Sequence, residues 1–169
     1  MYTVLETDFG NVGFYCLHLD HQLEETRIAQ WKQVKVFYFF LFFETMKDFL
    51  ASNNDLGSIP HVIFGDFNSL SSEKDYSKRK WEEIIRVREN NYWERPKTDL
   101  IQMVKDTGYT DCWKEGSGSP DTATCWANTR IDYIFGSTEF MKKFKPIATK
   151  AVDNDASDHR LIYIDFVVQ

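Results

Sequence analysis

Apolar and polar positions alternate in several short stretches of the chain, and this pattern predicts β-strands. Residues 1–7 (MYTVLET) and 11–19 (NVGFYCLHL) flank the turn-forming residues 8–11 and predict two consecutive strands. Residues 61–68 (HVIFGDFN) form an apolar run that ends abruptly in polar residues. Residues 130–137 (RIDYIFGS) and 161–168 (LIYIDFVV) predict two further strands.

Three helices are predicted between these strands. They cover residues 24 to about 50, about 78 to 90, and 98 to 107, and Gly108 stops the last one. Residues 71–77 and 114–122 are rich in polar and turn-forming residues and predict loops. Mixed strands and helices, with polar residues in the loops after strands, predict α/β layers with a site at the strand ends.

The first predicted helix contains the apolar run Val36–Phe43 (VFYFFLFF). A helix that covers a core with one face shows a polar residue at every third or fourth position, and this run shows none. The run therefore predicts a helix buried on most sides, or a surface that covers a part of the domain outside this chain, or a partner chain such as a second copy. It is too short to span a bilayer, which needs about 20 residues.

Size, charge and cysteine content narrow the class of protein. The 169 residues fit one domain over 1–169, and the net charge of -6 argues against a broadly basic nucleic-acid-binding face. A metal site built from carboxylates would itself be acidic. Three cysteines without a repeated short spacing predict neither a disulfide framework nor a zinc site. Free thiols and no recognisable leader favour an intracellular location, cytoplasmic or nuclear.

The tryptophans allow two interpretations. Exposed tryptophans can stack on nucleobases, and Trp81, Trp93, Trp113 and Trp126 are the candidates. Tryptophan is more often found in protein cores, so we expect these four side chains to be buried.

Polar groups suited to a metal ion and a phosphate stand at or beside the predicted strands. Asp66 and Asn68 end one strand two positions apart, Asp132 lies in another, Asp158 and His159 precede the last, and His18 ends FYCLHL. Magnesium prefers carboxylate, amide and water oxygens. Phosphodiester hydrolysis needs an activated water and stabilisation of the charge on phosphorus, which these residue types can supply.

Each of these residues also has an ordinary structural interpretation. Asp66, Asn68 and Asp158 are residue types that favour turns and helix caps. Asp132 could face solvent or pair with Arg130, and His18 could be a satisfied histidine at a strand end. Their common placement beside apolar strands favours a shared site.

Four motifs, in order, resemble those of the endonuclease/exonuclease/phosphatase family: FYCLHLDH, HVIFGDFNS, TRIDYIFGS and ASDHRLIYIDF. The resemblance runs from about Val12 to Phe166, and DYSKRKWEEI followed by GYTDCW is similar to a branch in plants and protists. It implies the deoxyribonuclease I-like fold, a four-layer α/β sandwich of two mixed sheets flanked by helices. It also implies a magnesium-dependent hydrolase of phosphodiesters or phosphomonoesters, with manganese as the alternative ion.

The resemblance implies a role for each candidate. Asp66 would orient or deprotonate the attacking water, and Asn68 would position that water and the phosphate. Asp158 would be the metal-associated carboxylate, with Asp66 and Asn68 as the other metal ligands.

On the phosphate side, the resemblance implies that His159 contacts the scissile phosphate and that Asp132 orients His159. His18 would contact the phosphate on the leaving-group side. Nucleic acid is the substrate class that the family favours. Phosphoinositides, sphingomyelin and a protein-DNA phosphodiester stay open, because the shared residues touch only the phosphate.

One departure from the family pattern concerns its first half. The family has a strand with an asparagine, and a later strand with the glutamate that is its principal metal ligand, well before the motif that holds His18. This chain starts only about a strand and a half before His18. We therefore expect an N-terminally incomplete domain. It would be a fragment of a longer protein, or a truncated, catalytically impaired domain that acts as a binding or dimerising module.

Overall fold

The computed structural model describes residues 1–34 and 59–169. Seven strands are present there: β1 (Tyr2–Thr7), β2 (Gly10–His18), β3 (His61–Asp66), β4 (Thr110–Asp111), β5 (Asp132–Gly136), β6 (Phe144–Val152) and β7 (Leu161–Val168). Residues 24–34 are helical and are called α1. The other helices are α2 (Lys78–Asn90), α3 (Asp99–Asp106), α4 (Cys112–Glu115) and α5 (Thr138–Lys143), and Glu73–Asp75 form a 3-10 turn.

The strands form two sheets. The larger has the order β1-β2-β3-β5-β4, in which β2 and β3 are parallel and every other pair is antiparallel. The smaller is the antiparallel pair β6-β7. Gly10 has a φ of +94°, which glycine adopts readily, and the tight turn there joins β1 to β2.

Each face of the larger sheet is covered by a different layer. Trp31 of α1 and Leu100 of α3 pack with Ile63, Tyr133 and Phe135 on one face. On the other face, Val12 and Val62 pack with Phe140 of α5, Phe144 of β6 and Phe166 of β7. Successive strand residues point to opposite faces, so the neighbours Val62 and Ile63 enter different cores. The result is a mixed α/β sandwich of helices, sheet and second sheet.

The predicted strands and helices are largely confirmed. The helix predicted from residue 24 is present up to residue 34, and the remainder, including Val36–Phe43, lies outside the described residues. The 3-10 turn Glu73–Asp75 lies in the middle of the loop predicted at 71–77, and α4 overlaps the first two residues of the loop predicted at 114–122. The sequence interpretation missed α5 and β6, because Lys145 and Pro146 interrupt the alternation of β6 and most of its outer positions are exposed.

The three cysteines Cys16, Cys112 and Cys125 are free thiols, as predicted, and the last two are buried. Among the described helices, none combines the length and the apolar character needed to cross a bilayer.

Candidate active site

Strand register brings three of the predicted residues side by side. His18, the last residue of β2, is the register partner of Asp66, the last residue of β3. Asp66 is in turn the partner of Asp132, the first residue of β5. Because β5 runs antiparallel to β3, the first residue of β5 lies beside the last residues of β2 and β3. Three residues far apart in sequence therefore form one row at the ends of these strands.

The backbone at the end of β3 and in the turn after it fixes the positions of Asp66 and Asn68. Gly65 has a φ of +130°, and a Cβ there would collide with the carbonyl oxygen of Leu17, so only glycine fits. Asn68 adopts a φ of +50°, and its backbone N–H donates to Asp66 Oδ1 at 2.7 Å. The Asn68 side-chain amide donates to the carbonyl of Leu19 at 2.9 Å. The asparagine is thereby fixed beside the aspartate rather than free to rotate.

The segment that carries Asp158 and His159 is attached to residues 124–126. Arg160 N–H donates to the carbonyl of Thr124 at 2.8 Å, and Trp126 N–H donates to the carbonyl of Asp158 at 2.9 Å. Thr124 Oγ1 also accepts hydrogen bonds from the backbone N–H groups of Ile131 and Asp132, both at 3.1 Å. Thr124 therefore connects the start of β5 to the segment that presents His159.

His159 closes the row of polar residues. Its Nδ1 lies 3.0 Å and 3.2 Å from the two carboxylate oxygens of Asp132, and its Nε2 lies 4.0 Å from Asp66 Oδ2. On the other side, His18 Nε2 lies 3.6 Å from the same Asp66 oxygen. Two imidazoles thus flank one carboxylate oxygen at distances longer than a direct hydrogen bond, which leaves room for a bridging water or phosphate oxygen.

Burial and neighbouring charges shift two pKa values at this site. Burial raises the pKa of Asp66, the N–H of Asn68 lowers it, and the nearby Asp132 carboxylate raises it, so the net shift is upward. For His159, burial lowers the pKa, but the charge of Asp132 and its hydrogen bond outweigh burial, so the net shift is again upward. The site therefore favours an imidazolium beside a carboxylate of increased basicity.

The residues that could hold a cation differ in part from the predicted set. Among the His, Cys, Asp and Glu side chains that the structure describes, Asp66, Asp132 and His159 offer ligand atoms within 4.8 Å of one another. Asp158 is exposed and does not belong to that cluster. Two carboxylates side by side repel each other, and a divalent cation or a proton would relieve that repulsion.

A cleft of about 440 Å³ joins these residues. His18, Asp66, Asn68, Asp158 and His159 all line it, while Asp132 lies behind His159. All six predicted residues therefore meet in one region of the surface. We use "the cleft" for this cavity below.

The expectation that the tryptophans are buried is wrong for two of them. Trp126 and Trp93 line the cleft and are partly exposed, whereas Trp113 is buried in the core as expected. Arg88 and His21 also line the cleft wall, and sequence reasoning did not assign them to the site.

Two buried arginines have partners that their sequence neighbourhood did not indicate. Arg27 is 1% exposed and pairs with Glu24 at 2.8 Å and Glu94 at 3.2 Å. Arg130 does not pair with Asp132 but forms two hydrogen bonds with the buried Asp111, the shorter at 2.7 Å. Asp132 is consequently left to hold His159.

No protein-family model and no curated protein sequence matches the chain. Its structure, in contrast, is similar to several solved structures. The human Nocturnin catalytic domain, solved with a bound sulfate anion, matches with a TM-score of 0.55 at 17% identity over 99% of this chain and 52% of that one. An endonuclease/exonuclease/phosphatase family protein from Leptotrichia buccalis matches with a TM-score of 0.53 at 16% identity, over 98% and 53% of the two chains.

The 3′ phosphatase NExo from Neisseria, solved with a product DNA hairpin, matches with a TM-score of 0.50 at 18% identity, over 97% of this chain and 63% of that one. The chain thus spans about half to two thirds of the length of these proteins. At this level of identity the similarity concerns the fold. The chain has the fold of the endonuclease/exonuclease/phosphatase family, the deoxyribonuclease I-like α/β sandwich that its motifs predicted.

Proposed function

We propose that this domain hydrolyses phosphoesters with the help of a divalent cation, and that its substrates are phosphodiesters of nucleic acid. The observation that carries the proposal is the row of His18, Asp66 and Asp132 across three neighbouring strands, completed by His159. The fold is shared with a 3′ phosphatase that was solved with product DNA. That similarity supports a phosphoester as the substrate class.

On the water side, Asp66 is the general base. Burial raises the pKa of Asp66 before a cation binds, and Asn68 is held next to it by the 2.7 Å hydrogen bond. Asp66 would accept a proton from water as the water oxygen attacks phosphorus, and the ester bond to the leaving oxygen breaks in line with that attack. The fixed position of Asn68 orients the attacking water and lowers the entropic cost of reaching that geometry.

On the phosphate side, His159 and His18 hold the non-bridging oxygens. His159 is kept as an imidazolium by Asp132, so it can donate a charge-assisted hydrogen bond from Nε2. His18 lies across Asp66 from His159, at 3.6 Å from the carboxylate. A phosphate between the two rings would meet donors from both sides, and these donors stabilise the charge that develops in the transition state.

The residues fit a hard divalent cation. Magnesium is held in proteins by one or two carboxylates together with water and substrate oxygens, and Asp66, Asp158 and the Asn68 amide are the groups proposed to hold it. Side-chain atoms of Asp132 and His159 lie within 4.8 Å of one of Asp66, so both residues would adjoin the cation. When bound, Mg²⁺ or Mn²⁺ would supply positive charge to the transferring phosphoryl group.

The first experiment measures hydrolysis by the whole chain. Bis(p-nitrophenyl) phosphate, p-nitrophenyl phosphate and a single-stranded oligonucleotide are incubated with Mg²⁺, Mn²⁺ or EDTA. We expect metal-dependent turnover that falls by about 100-fold or more in Asp66→Asn, because general-base catalysis typically contributes 10²–10⁴-fold. Asp106→Asn, an exposed carboxylate at the end of α3, serves as the matched control.

Two results would contradict the proposal. One is turnover that survives Asp66→Asn, because the base would then lie elsewhere. The other is an equal rate in EDTA, because a cation would then have no part in the reaction. A preference for p-nitrophenyl phosphate over the diester would retain the site but assign the domain to phosphomonoesters.

A further inference from the structure

An exposed aromatic pair stands in the wall of the cleft. Trp126 is 58% exposed and Trp93 is 37% exposed, and both line the cavity that contains His159 and Asp66. Their ring centroids lie 5.6 Å apart with an interplanar angle of 71°, an edge-to-face arrangement. Covering this aromatic surface with a ligand would be favourable, because removing apolar area from water stabilises a complex. We name this pair the aromatic shelf.

The shelf adjoins the residues proposed to bind phosphate. The backbone N–H of Trp126 donates to the carbonyl of Asp158 at 2.9 Å, and Cys125, its neighbour, bridges to His159. Trp126 is thereby joined directly to the segment that presents His159. A group stacked on its ring would belong to the same molecule as a phosphate held at His159.

The shelf is rigid before any ligand arrives. Trp93 N–H donates to the carbonyl of Arg88 at 2.9 Å, and Arg88 Nε donates to the carbonyl of Glu94 at 2.6 Å. The Arg88 guanidinium lies 5.9 Å from the centre of the Trp93 ring, a cation–π contact. Trp93 and the next residue, Glu94, are therefore held in place by Arg88. A preformed surface loses little entropy when it binds a flat ring.

The two indole rings of the aromatic shelf are suited to binding an unpaired nucleobase. A face of indole binds flat, polarisable rings, and base stacking on aromatic side chains does not depend strongly on which base is present. The cleft volume of about 440 Å³ falls within the usual range for a small-molecule site. The net charge of -6 disfavours binding through the phosphate backbone alone, so contacts to bases gain importance.

We propose that Trp126 and Trp93 form a subsite that stacks an unpaired nucleobase next to the scissile phosphate, so that the domain acts on single-stranded nucleic acid. The inference rests on the proposed phosphoesterase function for the position of the phosphate. It adds the part of the substrate that the shared phosphate-binding residues do not contact. A base inside a duplex is stacked on its neighbours and cannot lie on the shelf, so single strands or frayed ends are preferred.

The test compares two ligands of equal charge. One is a six-residue oligothymidylate, and the other is an oligomer with the same phosphates in which every base is absent. Binding of each to the whole chain is measured by calorimetry at one fixed salt concentration, with EDTA present to prevent hydrolysis. We expect the oligomer with bases to bind about tenfold more tightly, because stacking on an aromatic residue contributes about 1–3 kcal/mol per base.

Variants test whether Trp126 causes the tighter binding of the oligomer with bases. Trp126→Ala should bring the ratio of the two affinities close to one, while Trp126→Phe should keep most of it. Tyr163→Ala removes an exposed aromatic residue of β7 that does not line the cleft, and it should leave the ratio unchanged. Bases should also quench the fluorescence of Trp126, so Trp126→Phe should lose part of the quenching while it keeps the affinity. Circular dichroism establishes that each variant is folded.

Three results would contradict base stacking on the aromatic shelf. They are equal binding of the two oligomers, an affinity ratio that is unchanged in Trp126→Ala, or no binding of either oligomer. These results differ from a failure of the proposed function. Metal-dependent hydrolysis without a base preference would support the phosphoesterase function and contradict base stacking on the aromatic shelf. Base-dependent binding without hydrolysis would support base stacking and contradict the phosphoesterase function.

Discussion

At the scale of single residues, the pair His159 and Asp132 determines the charge of the site. The two side chains are 27 residues apart in sequence but 3.0 Å apart in space. The backbone N–H of Asp132 donates to Thr124 Oγ1, which fixes the main chain at the start of β5. A carboxylate that binds one imidazole nitrogen also fixes the tautomer and leaves the other nitrogen to donate to a ligand.

We expect the imidazole of His159 to titrate above the usual pKa of about 6.5 for histidine. In Asp132→Asn the negative charge is removed while the shape is kept, so the titration should move to lower pH. Two-dimensional NMR of the histidine ring protons in EDTA measures both values. A His159 pKa that stays the same or rises in the variant would show that Asp132 does not hold the imidazolium.

The same pair has a consequence for stability. A histidine with a folded-state pKa above its unfolded value favours the folded state below the unfolded pKa, and this contribution is lost as the pH rises through the folded pKa. The pairing should therefore stabilise the fold fully below about pH 6.5. The difference in unfolding free energy between wild type and Asp132→Asn should shrink as the pH rises above that value.

At the scale of elements, a buried ionic network joins α1, α3 and the loop after β3. Glu24 is 1% exposed, and its carboxylate accepts hydrogen bonds from Arg27 Nε, Ser69 Oγ and the backbone N–H of Leu100. The last of these contacts caps the first turn of α3, where Thr98 makes no side-chain cap. Ser69 follows Asn68 directly, so the network also supports the turn that carries Asn68.

We expect Glu24→Ala to lower the free energy of unfolding by about 3–5 kcal/mol, because it leaves the charge of Arg27 buried without its nearest partner. Glu25→Ala, at the exposed neighbouring position, should change stability by less than about 0.5 kcal/mol. Urea denaturation followed by tryptophan fluorescence measures both. Similar losses in the two variants would mean that the network contributes little beyond helix propensity.

At the scale of the whole molecule, the outer face of the β6-β7 sheet exposes several apolar side chains, which alternate with the charged Lys145, Lys150 and Asp165. Leu161 is 61% exposed and Ile147 is 55% exposed, and Tyr163 and Val167 share the outer face of β7. Within the described residues this sheet has two strands, so both are edges that can pair with another chain. These features favour the alternative function of a binding or dimerising module, which does not require catalysis.

We expect the chain to self-associate through this face. Sedimentation equilibrium over a range of protein concentrations should show a dimer that Leu161→Lys weakens by about tenfold or more, because a charge would be buried in an apolar contact. Gln102→Lys adds the same charge at an exposed position of α3 and is the matched control. A monomer at all concentrations, or equal weakening by both variants, would contradict the expectation. Val36–Phe43, the surface predicted from sequence, lies outside the described residues.

The sequence by itself determined most of the strands and helices, and it supplied the candidate site residues. The run HVIFGDFN predicted a buried strand and the point where it ends, because an apolar run and the turn residues after it are local properties of the chain. The order of four motifs likewise identified the fold. Element bounds followed closely, as α2 spans the residues 78–90 that were predicted.

Only the tertiary structure decided which side chains meet. The register that aligns His18, Asp66 and Asp132 depends on hydrogen bonds between strands, and local periodicity carries no information about them. The exposure of Trp126, the burial of Arg27 and the pairing of Arg130 with Asp111 depend in the same way on neighbours distant in sequence. The residue type limits which chemistry a side chain can perform. The packing of helices and strands decides which of the possible partners of that side chain lies close enough to contact it.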